Sequence, residues 1–123
     1  MLHPICQGQW LVMSTLLVDG RAVALDKDGF LAELSDWSEP VAAALAKTEE
    51  IDLTPEHWEV LHVLRAFYAE FQLSPATRPL IKYCALKLGA EKGNSLHLNG
   101  LFKGRPAKLA AKLAGLPKPT NCL

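Results

Sequence analysis

The sequence lacks several features that mark specialised classes of protein. Three cysteines occur in 123 residues, an odd number that argues against a disulfide framework. Eight glycines and eight prolines exclude collagen-like and low-complexity chains. No apolar run approaches the roughly 18 residues needed to span a bilayer. Residues 1–18 have no basic residue ahead of their apolar part, so they make a poor signal peptide. These absences predict a cytoplasmic protein whose thiols stay reduced.

Motifs for metals, nucleotides and hydrolytic catalysis are also missing. The four histidines and three cysteines show neither CxxC nor HxxxH spacing. His57 and His62 are five residues apart on a predicted helix, which places them on different faces. There is no phosphate-binding loop, no glycine-rich dinucleotide turn and no GxSxG turn. We therefore expect no metal site.

The residues that are present predict one globular domain with an uneven charge distribution. Half of the chain is hydrophobic and 21% is charged, within 13.5 kDa. Residues 1–77 hold four basic and twelve acidic residues, a balance of −8. Residues 78–123 hold nine basic and one acidic, a balance of +8. Either the basic half faces an acidic partner, such as nucleic acid or an acidic protein, or the two halves attract each other within the fold.

Two Asp-Gly pairs mark turns in the first third of the chain. Asp19-Gly20 separates the apolar runs 16–18 and 22–25. Asp-Gly is typical of type I′ hairpin turns because they require positive φ at both central residues. Asp28-Gly29 repeats the signal. We predict a small β-hairpin followed by a turn over residues 15–32, packed on the rest of the chain because a lone hairpin is marginally stable.

Two capping residues predict the first two helices. Ser38 precedes Glu39 and Pro40, which suit the first turn of a helix that extends to residue 47. Thr54 precedes a proline, the residue favoured at the first helical position. The second helix has a broad apolar stripe, so we predict that it is the central core helix. The stripe consists of Trp58, Leu61, Val63, Leu64, Phe67, Tyr68 and Phe71.

A third helix is predicted to start at Ser74-Pro75 and to end near Leu88, before Gly89. Pro79 lies inside this segment. Either the helix proper begins at Thr77, which puts Pro79 in its first turn, or one backbone hydrogen bond is lost near its start.

Two short helices and an extended tail complete the prediction. The helices are expected at residues 95–102 and 106–114. In the tail, Pro117 and Pro119 forbid helix and favour an extended arm. The fold class is therefore mainly α, a small orthogonal helical bundle with an N-terminal β-hairpin and a flexible extended C-terminal arm. The expected segments are an unpatterned extension at 1–14, a single domain at 15–115 and the arm at 116–123.

The three cysteines differ in their surroundings. Cys84 lies among apolar residues of a predicted helix and is expected in the core, whereas Cys6 carries no signal. Cys122 is the penultimate residue, at the end of the arm, where no core pattern requires it. Lys118 and Arg105 could stabilise its thiolate, the form that attacks sulfur. The alternative is a frayed tail with an incidental cysteine.

Five segments in colinear order resemble the DsrC/TusE sulfur-relay family, over about residues 15–123. They are Trp37-Ser38-Glu39-Pro40, Leu53-Thr54-Pro55-Glu56-His57-Trp58-Glu59-Val60, Phe71-Gln72-Leu73-Ser74-Pro75-Ala76, Glu91-Lys92-Gly93-Asn94-Ser95 and Gly115-Leu116-Pro117-Lys118-Pro119-Thr120-Asn121-Cys122-Leu123. The resemblance implies that Cys122 carries sulfur as a persulfide. Family members that partner dissimilatory sulfite reductase have a second cysteine eleven residues earlier, where this chain has Ala111. The chain is therefore similar to the TusE-like branch, without an intramolecular disulfide.

The TusE-like branch implies a sulfurtransferase in the modification of tRNA. A TusBCD-like complex would pass sulfur to Cys122, and an MnmA-like thiouridylase bound to tRNA would accept it to form 2-thiouridine at the wobble position. No metal or organic cofactor is implied. Arg78 matches an arginine usual in the family and is a candidate for holding the arm. Residues 1–12 have no family counterpart, and we expect translation to start naturally at Met13.

Two other functions are compatible with the sequence. One is a DsrC-like role in sulfur metabolism or regulation outside tRNA modification. The other is a helix-turn-helix nucleic-acid-binding module over residues 57–89, whose second helix carries Arg78, Lys82 and Lys87. Few polar side chains on that helix are available to read bases, which disfavours direct binding to DNA.

Overall fold

Five helices and one antiparallel hairpin make up the part of the chain that the computed structural model describes, residues 14–119. The elements are β1 (Ser14–Val18), β2 (Arg21–Leu25), α1 (Glu39–Thr48), α2 (Pro55–Phe71), α3 (Thr77–Leu88), α4 (Ser95–Leu101) and α5 (Pro106–Leu113). A 3-10 turn at Leu34–Asp36 precedes α1. The predicted mainly helical class with an N-terminal hairpin is confirmed. None of the helices within residues 14–119 has the length and hydrophobicity to cross a membrane.

The hairpin turns where the first Asp-Gly pair predicts. Asp19 and Gly20 have φ values of 51° and 80°, the left-handed conformation that a type I′ turn requires. At the second pair, the Asp26 carboxylate accepts hydrogen bonds from the backbone N–H groups of Asp28 (2.9 Å) and Phe30 (3.0 Å). This turn directs Phe30 into the core, where its side chain is 1% exposed.

Side-chain caps start α1 and α2, as predicted. The Ser38 hydroxyl accepts from the Val41 N–H at 3.4 Å. At the start of α2, His57 Nδ1 accepts from the Thr54 N–H at 3.0 Å, which completes a capping box. His57 Nε2 lies 2.8 Å from the Leu101 carbonyl oxygen, so this nitrogen carries the proton and donates. His57 thus joins the start of α2 to the end of α4, whereas His62 is exposed.

The third helix begins at Thr77, which places Pro79 in its first turn. A proline there removes no helical hydrogen bond, so the first of the two alternatives is correct. The expected start at Ser74-Pro75 is three residues too early. The Ser74 hydroxyl does not cap the helix, because it donates to the Pro117 carbonyl at 2.6 Å. Helices α4 and α5 each end one residue before the predicted position.

The eight-residue helix α5 packs at the centre of the bundle. It contacts α1, α2, α3 and α4. Every residue from Leu109 to Leu116 is buried, including the otherwise charged Lys112, which is 7% exposed. The Lys112 ammonium pairs with the carboxylate of Glu49 at the end of α1. The chain therefore leaves α5 from inside the bundle, and its path outward is set by the residues that surround it.

Ion pairs join the acidic half of the chain to the basic half. Within residues 14–119, every lysine–carboxylate pair takes its carboxylate from residues 1–77 and its lysine from residues 78–123. The pairs are Lys92–Glu59 (2.7 Å), Lys103–Glu50 (4.0 Å), Lys112–Glu49 and Lys118–Asp28 (3.8 Å). The hydrogen bond to Glu59 raises the pKa of Lys92. Attraction between the halves therefore accounts for four of the nine cations in the basic half.

Candidate functional site

The candidate site is the base of the C-terminal arm. Cys122 itself lies outside the described residues, as do Cys6 and all of the predicted extension at 1–14 except Ser14, which begins β1. The last described residue is Pro119. Five residues of chain lead from Pro117 to Cys122, and five residues span at most about 18 Å when extended. Thiol chemistry at Cys122 is therefore confined to that radius around Pro117.

Gly115 turns the chain from α5 into the arm. Its φ of 74° is left-handed, and the Leu116 N–H donates to the Ala111 carbonyl (2.9 Å) while the Gly115 N–H donates to the Lys112 carbonyl (3.2 Å). This pair of bonds is a Schellman motif, which satisfies carbonyls at a helix end. A Cβ atom on Gly115 would lie 2.3 Å from Cδ1 of Trp37. The position therefore requires glycine for both its backbone conformation and its contact with the indole.

Trp37 and Arg65 bind the last carbonyls of the α5 end. The indole Nε1–H of Trp37 donates to the Leu113 carbonyl at 2.9 Å. Arg65 Nη1 donates to the Ala114 carbonyl at 2.6 Å, and its guanidinium carbon lies 4.0 Å from the Trp37 ring centroid. Burial lowers the pKa of Arg65 from its usual value. The stacked pair fixes the point where the arm begins, since each side chain positions the other.

Ser74 and Asp28 hold the next residues of the arm. Ser74, 6% exposed, donates its hydroxyl to the Pro117 carbonyl. The Lys118 ammonium lies 3.8 Å from the Asp28 carboxylate. Leu116 is 3% exposed between these contacts and α5. The arm is thus held by side chains from the hairpin region, from α2 and from the segment before α3.

The residues predicted from the sequence to support the thiolate or to hold the arm lie in different places. Lys118 is in the arm, with its charge drawn towards Asp28. Arg78 is exposed in the first turn of α3, beside Pro79 and Lys82. Arg105 is exposed at the N-cap of α5. Eight helical residues, about 12 Å, separate Arg105 from the end of the helix where the arm begins.

The sequence predicts only a helix start for Ser74 and no role for Trp37 or Arg65, although Trp37 and Ser74 lie in the segments that carry the resemblance. A signal for Arg65 was present. It follows Leu61 by four residues and His57 by eight, so it continues a row of α2 that is otherwise buried. A charged residue on such a row needs a partner inside the fold, because an unpaired buried charge is strongly destabilising. Here the partners are a carbonyl and an indole ring.

Cys84 is unsuited to carrying sulfur. Its side chain is fully buried on α3, and burial raises the pKa of the thiol to about 11. The thiolate is the reactive form, so this cysteine stays inert at neutral pH, in agreement with its predicted place in the core. Ala111, at the position where the resemblance places a second cysteine in other family members, is also fully buried. Within residues 14–119, no three metal-ligating side chains converge.

Comparisons with known proteins agree on one family. The family model described as DsrC like protein matches residues 17–123. Sulfurtransferase TusE of Escherichia coli K12 is 52% identical over 108 residues, which cover 88% of this chain and 99% of that protein. The Sulfurtransferase TusE homolog of Haemophilus influenzae is 53% identical over the same shares. The solution structure of Allochromatium vinosum DsrC superposes with a TM-score of 0.82 at 48% identity, covering 89% of this chain and 98% of that one.

Proposed function

Because this chain belongs to the family of DsrC-like proteins, we propose that it is a sulfurtransferase of a sulfur relay with Cys122 as its carrier. The match to the family reaches residue 123 and so includes this cysteine. Two relatives that are more than half identical bear the name sulfurtransferase. The observation that carries the proposal is the arm base, where Trp37, Arg65 and Ser74 hold the segment that leads to the thiol.

The chemistry is two exchanges of sulfane sulfur. The Cys122 thiolate attacks the outer sulfur of a donor persulfide, the donor S–S bond breaks, and its electron pair leaves on the donor thiolate. The product is Cys122–S–SH. A cysteine thiolate of the acceptor then attacks the outer sulfur and releases the Cys122 thiolate. Each S–S bond that breaks is replaced by another, so neither exchange requires an outside oxidant, a reductant, a metal or an organic cofactor.

The proposed partners are those of the TusE-like branch. A TusBCD-like complex donates the sulfur, and an MnmA-like thiouridylase bound to tRNA accepts it to make 2-thiouridine at the wobble position. The names of the relatives support this assignment. We place the relay in the cytoplasm, where thiols stay reduced and a persulfide carrier can be regenerated.

The arm base contributes position rather than chemistry. Its contacts fix the chain as far as Pro117, and the remaining five residues limit how far the thiol travels. Holding the exit point raises the effective concentration of the thiol near any partner that binds beside it. An unheld arm would sample a larger volume and meet the donor sulfur less often.

Mass spectrometry of the Cys122 peptide tests the proposal. The intact protein is incubated with a persulfide-loaded donor and digested under non-reducing conditions. We expect one added sulfur on that peptide, removed by reductant and absent in Cys122→Ser. The matched control is Cys84→Ser, which should load as the wild type does because Cys84 is buried. Loading on Cys84 or Cys6 instead, or no loading from a donor that loads another acceptor, would contradict the proposal.

A cellular measurement tests the second exchange. The wild-type chain should restore 2-thiouridine in tRNA of a strain that lacks its own TusE, whereas Cys122→Ser should not. Restoration by Cys122→Ser would show that Cys122 is not the carrier.

A further inference from the structure

The outer face of α3 combines exposed aliphatic and cationic side chains. It consists of Arg78, Pro79, Lys82, Leu86 and Lys87, all exposed. Leu86 is 76% exposed in the middle of the three cations. At the adjoining end of α2, Phe71 and Leu73 are 47% and 53% exposed. The Phe71 ring lies 6.4 Å from the Tyr83 ring of α3, which joins the end of α2 to this helix. Single exposed leucines are common, whereas several exposed apolar side chains beside unpaired cations are typical of an interaction surface.

The cations of this face have no carboxylate partner within residues 14–119. The lysines that form ion pairs are all elsewhere, and α3 contains no acidic residue. The carboxylate that reaches the edge of the face is Glu70, which accepts from the Tyr83 hydroxyl at 3.3 Å. Lys87 lies 5.4 Å from the centroid of the Tyr83 ring. Attraction between the two halves of the chain therefore does not explain the charge of α3.

The face lies beside the exit of the arm. Ser74, which holds the Pro117 carbonyl, precedes the first residue of α3 by three positions. From Arg78 to Lys87 the helix rises about 14 Å. Cys122 can move no farther than about 18 Å from Pro117. A partner that covers the face therefore brings its own surface within reach of the thiol.

We propose that the outer face of α3, with Phe71 and Leu73, is the docking surface for the protein that donates sulfur to Cys122. The donor is expected to present an apolar pocket for Leu86 surrounded by carboxylates that pair with Arg78, Lys82 and Lys87. This inference rests on the proposed function. The complementary charges speed the encounter, and the apolar contacts stabilise the complex.

Aliphatic side chains distinguish this surface from a nucleic-acid interface. Leu86 and Leu73 have no aromatic face on which a base could stack, and they offer no hydrogen bond to a phosphate or a base edge. Phe71, the exposed aromatic residue of the surface, packs against the rings of Phe67 (4.6 Å between centroids) and Tyr83 (6.4 Å). Helix α3 itself carries no asparagine, glutamine or serine that could read bases. The acceptor is proposed to bind tRNA, so a surface that faces it would lie near nucleic acid. The mixed apolar and cationic character of this face fits a partner that is protein, and we assign the face to the donor.

A binding measurement on the full chain tests the surface. A purified TusBCD complex of E. coli serves as the probe, since the TusE of that organism is 52% identical to this chain. All variants carry Cys122→Ser, so no sulfur moves and affinity alone is measured. We expect Lys82→Glu with Leu86→Ala to weaken binding by about tenfold or more. The matched control is Lys47→Glu with Leu17→Ala, which changes an exposed lysine and a leucine 74% exposed on other elements. It should change affinity by less than about twofold.

Salt and melting temperature complete the test. Raising the salt concentration should weaken binding of the unsubstituted face more than binding of the Lys82→Glu, Leu86→Ala variant, since charge pairs are screened. Both double variants should melt within a few degrees of the parent, because the changed side chains are exposed. Equal affinity of the two double variants would overturn the proposal. So would a loss of tRNA binding in the α3 variant with donor binding intact.

Separate loading reactions distinguish failure of the docking surface from failure of the relay. Sodium polysulfide loads an accessible thiol without docking, so Cys122 should gain sulfur from it equally in the wild type and in the Lys82→Glu, Leu86→Ala variant. With the donor at low concentration, the variant should load more slowly by about tenfold. If the donor loads both equally, the docking surface is wrong and the relay stands. If the donor loads neither and polysulfide loads both, the proposed function fails.

Discussion

Burial separates the thiols of this chain at the scale of single residues. Cys84 is enclosed by α3 and the core, where the pKa of the thiol rises to about 11 because the charged form is poorly solvated. The proposed carrier instead follows a Pro-rich segment that no core position requires. A protein that moves sulfur through one cysteine benefits from hiding another one, since misplaced persulfides would not be delivered.

The raised pKa of Cys84 predicts a loss of stability in alkali. An unfolded thiol loses its proton near pH 9, whereas the folded thiol keeps it until about pH 11. Between these values the unfolded state binds fewer protons, so the free energy of unfolding falls as pH rises. We expect the Cys84 thiol to lower the free energy of unfolding by roughly 2–3 kcal/mol over this range. The free energy of unfolding in urea is measured for the wild type and for Cys84→Ala at pH 8, 9, 10 and 11. The difference between the two proteins isolates the contribution of Cys84 from those of other titrating groups. Parallel pH dependences would contradict the prediction.

Ser74 is predicted to stabilise the arm base through one hydrogen bond. Ser74→Ala removes the donor to the Pro117 carbonyl and should lower the free energy of unfolding by about 1 kcal/mol. Loading of Cys122 from a dilute donor should slow, while loading by polysulfide should not. Ser35→Ala, at an exposed serine before α1, is the control and should change neither quantity. An unaltered donor rate in Ser74→Ala would mean that this bond does not position the arm.

At the scale of elements, the end of α5 is the most constrained part of the bundle. Its Schellman turn, the indole of Trp37 and the guanidinium of Arg65 meet at Gly115. Helix ends leave carbonyls without partners, and a buried end must satisfy them from elsewhere. Here the contacts that satisfy the last carbonyls of α5 also orient the arm. The residues that end the helix are therefore the same residues that set the geometry of the site.

Substitution at Gly115 measures that constraint. Gly115→Ala must adopt a φ of 74° and places a methyl group 2.3 Å from the indole. Gly104→Ala is the matched control, since Gly104 has a φ of 79° and open space around it. Gly104→Ala should lower the free energy of unfolding by about 1 kcal/mol through backbone strain alone. Gly115→Ala should lower the free energy of unfolding by at least about 2 kcal/mol more, because the new methyl group collides with the indole of Trp37 and that side chain is held in place. Thermal unfolding of both variants checks this, and equal losses would contradict it.

At the scale of the whole molecule, lysine–carboxylate pairs link the two halves of the sequence. The acidic and basic halves balance to a net charge of zero, and the lysine–carboxylate pairs within residues 14–119 link one half to the other. The pair between Lys112 and Glu49 is the most buried, with side-chain exposures of 8% and 24%. Exposed ion pairs contribute little to stability. Substitutions in this buried pair therefore give the most sensitive test of the attraction between the two halves.

Removing one member of the buried pair is predicted to cost more than removing both. Glu49→Gln leaves the Lys112 ammonium buried without a countercharge and should lower the free energy of unfolding by about 2–3 kcal/mol. Adding Lys112→Met should recover at least about half of that loss, because the uncompensated charge is gone. Urea unfolding at neutral pH measures both variants. A double variant less stable than Glu49→Gln would show that the pair itself is strongly stabilising.

Local signals predicted the elements well and their boundaries less well. Asp19-Gly20, Ser38 and Thr54 each act through atoms within a few residues, so their turns and caps can be read from adjacent positions. Of the two predicted alternatives for α3, the start at Thr77 is correct; Ser74 does not cap the helix because it has a partner 43 positions away. A capping serine and a serine that binds a distant carbonyl have the same local pattern.

The sequence by itself determined the class of fold, the turns, the order of the helices, the buried Cys84 and, through its colinear motifs, the family. Only the tertiary structure decided how the arm is held. The bonds from Trp37 to Leu113 and from Arg65 to Ala114 join residues 76 and 49 positions apart. Periodicity and capping describe forces between neighbours in the chain, whereas these contacts exist only once the whole core has packed around α5.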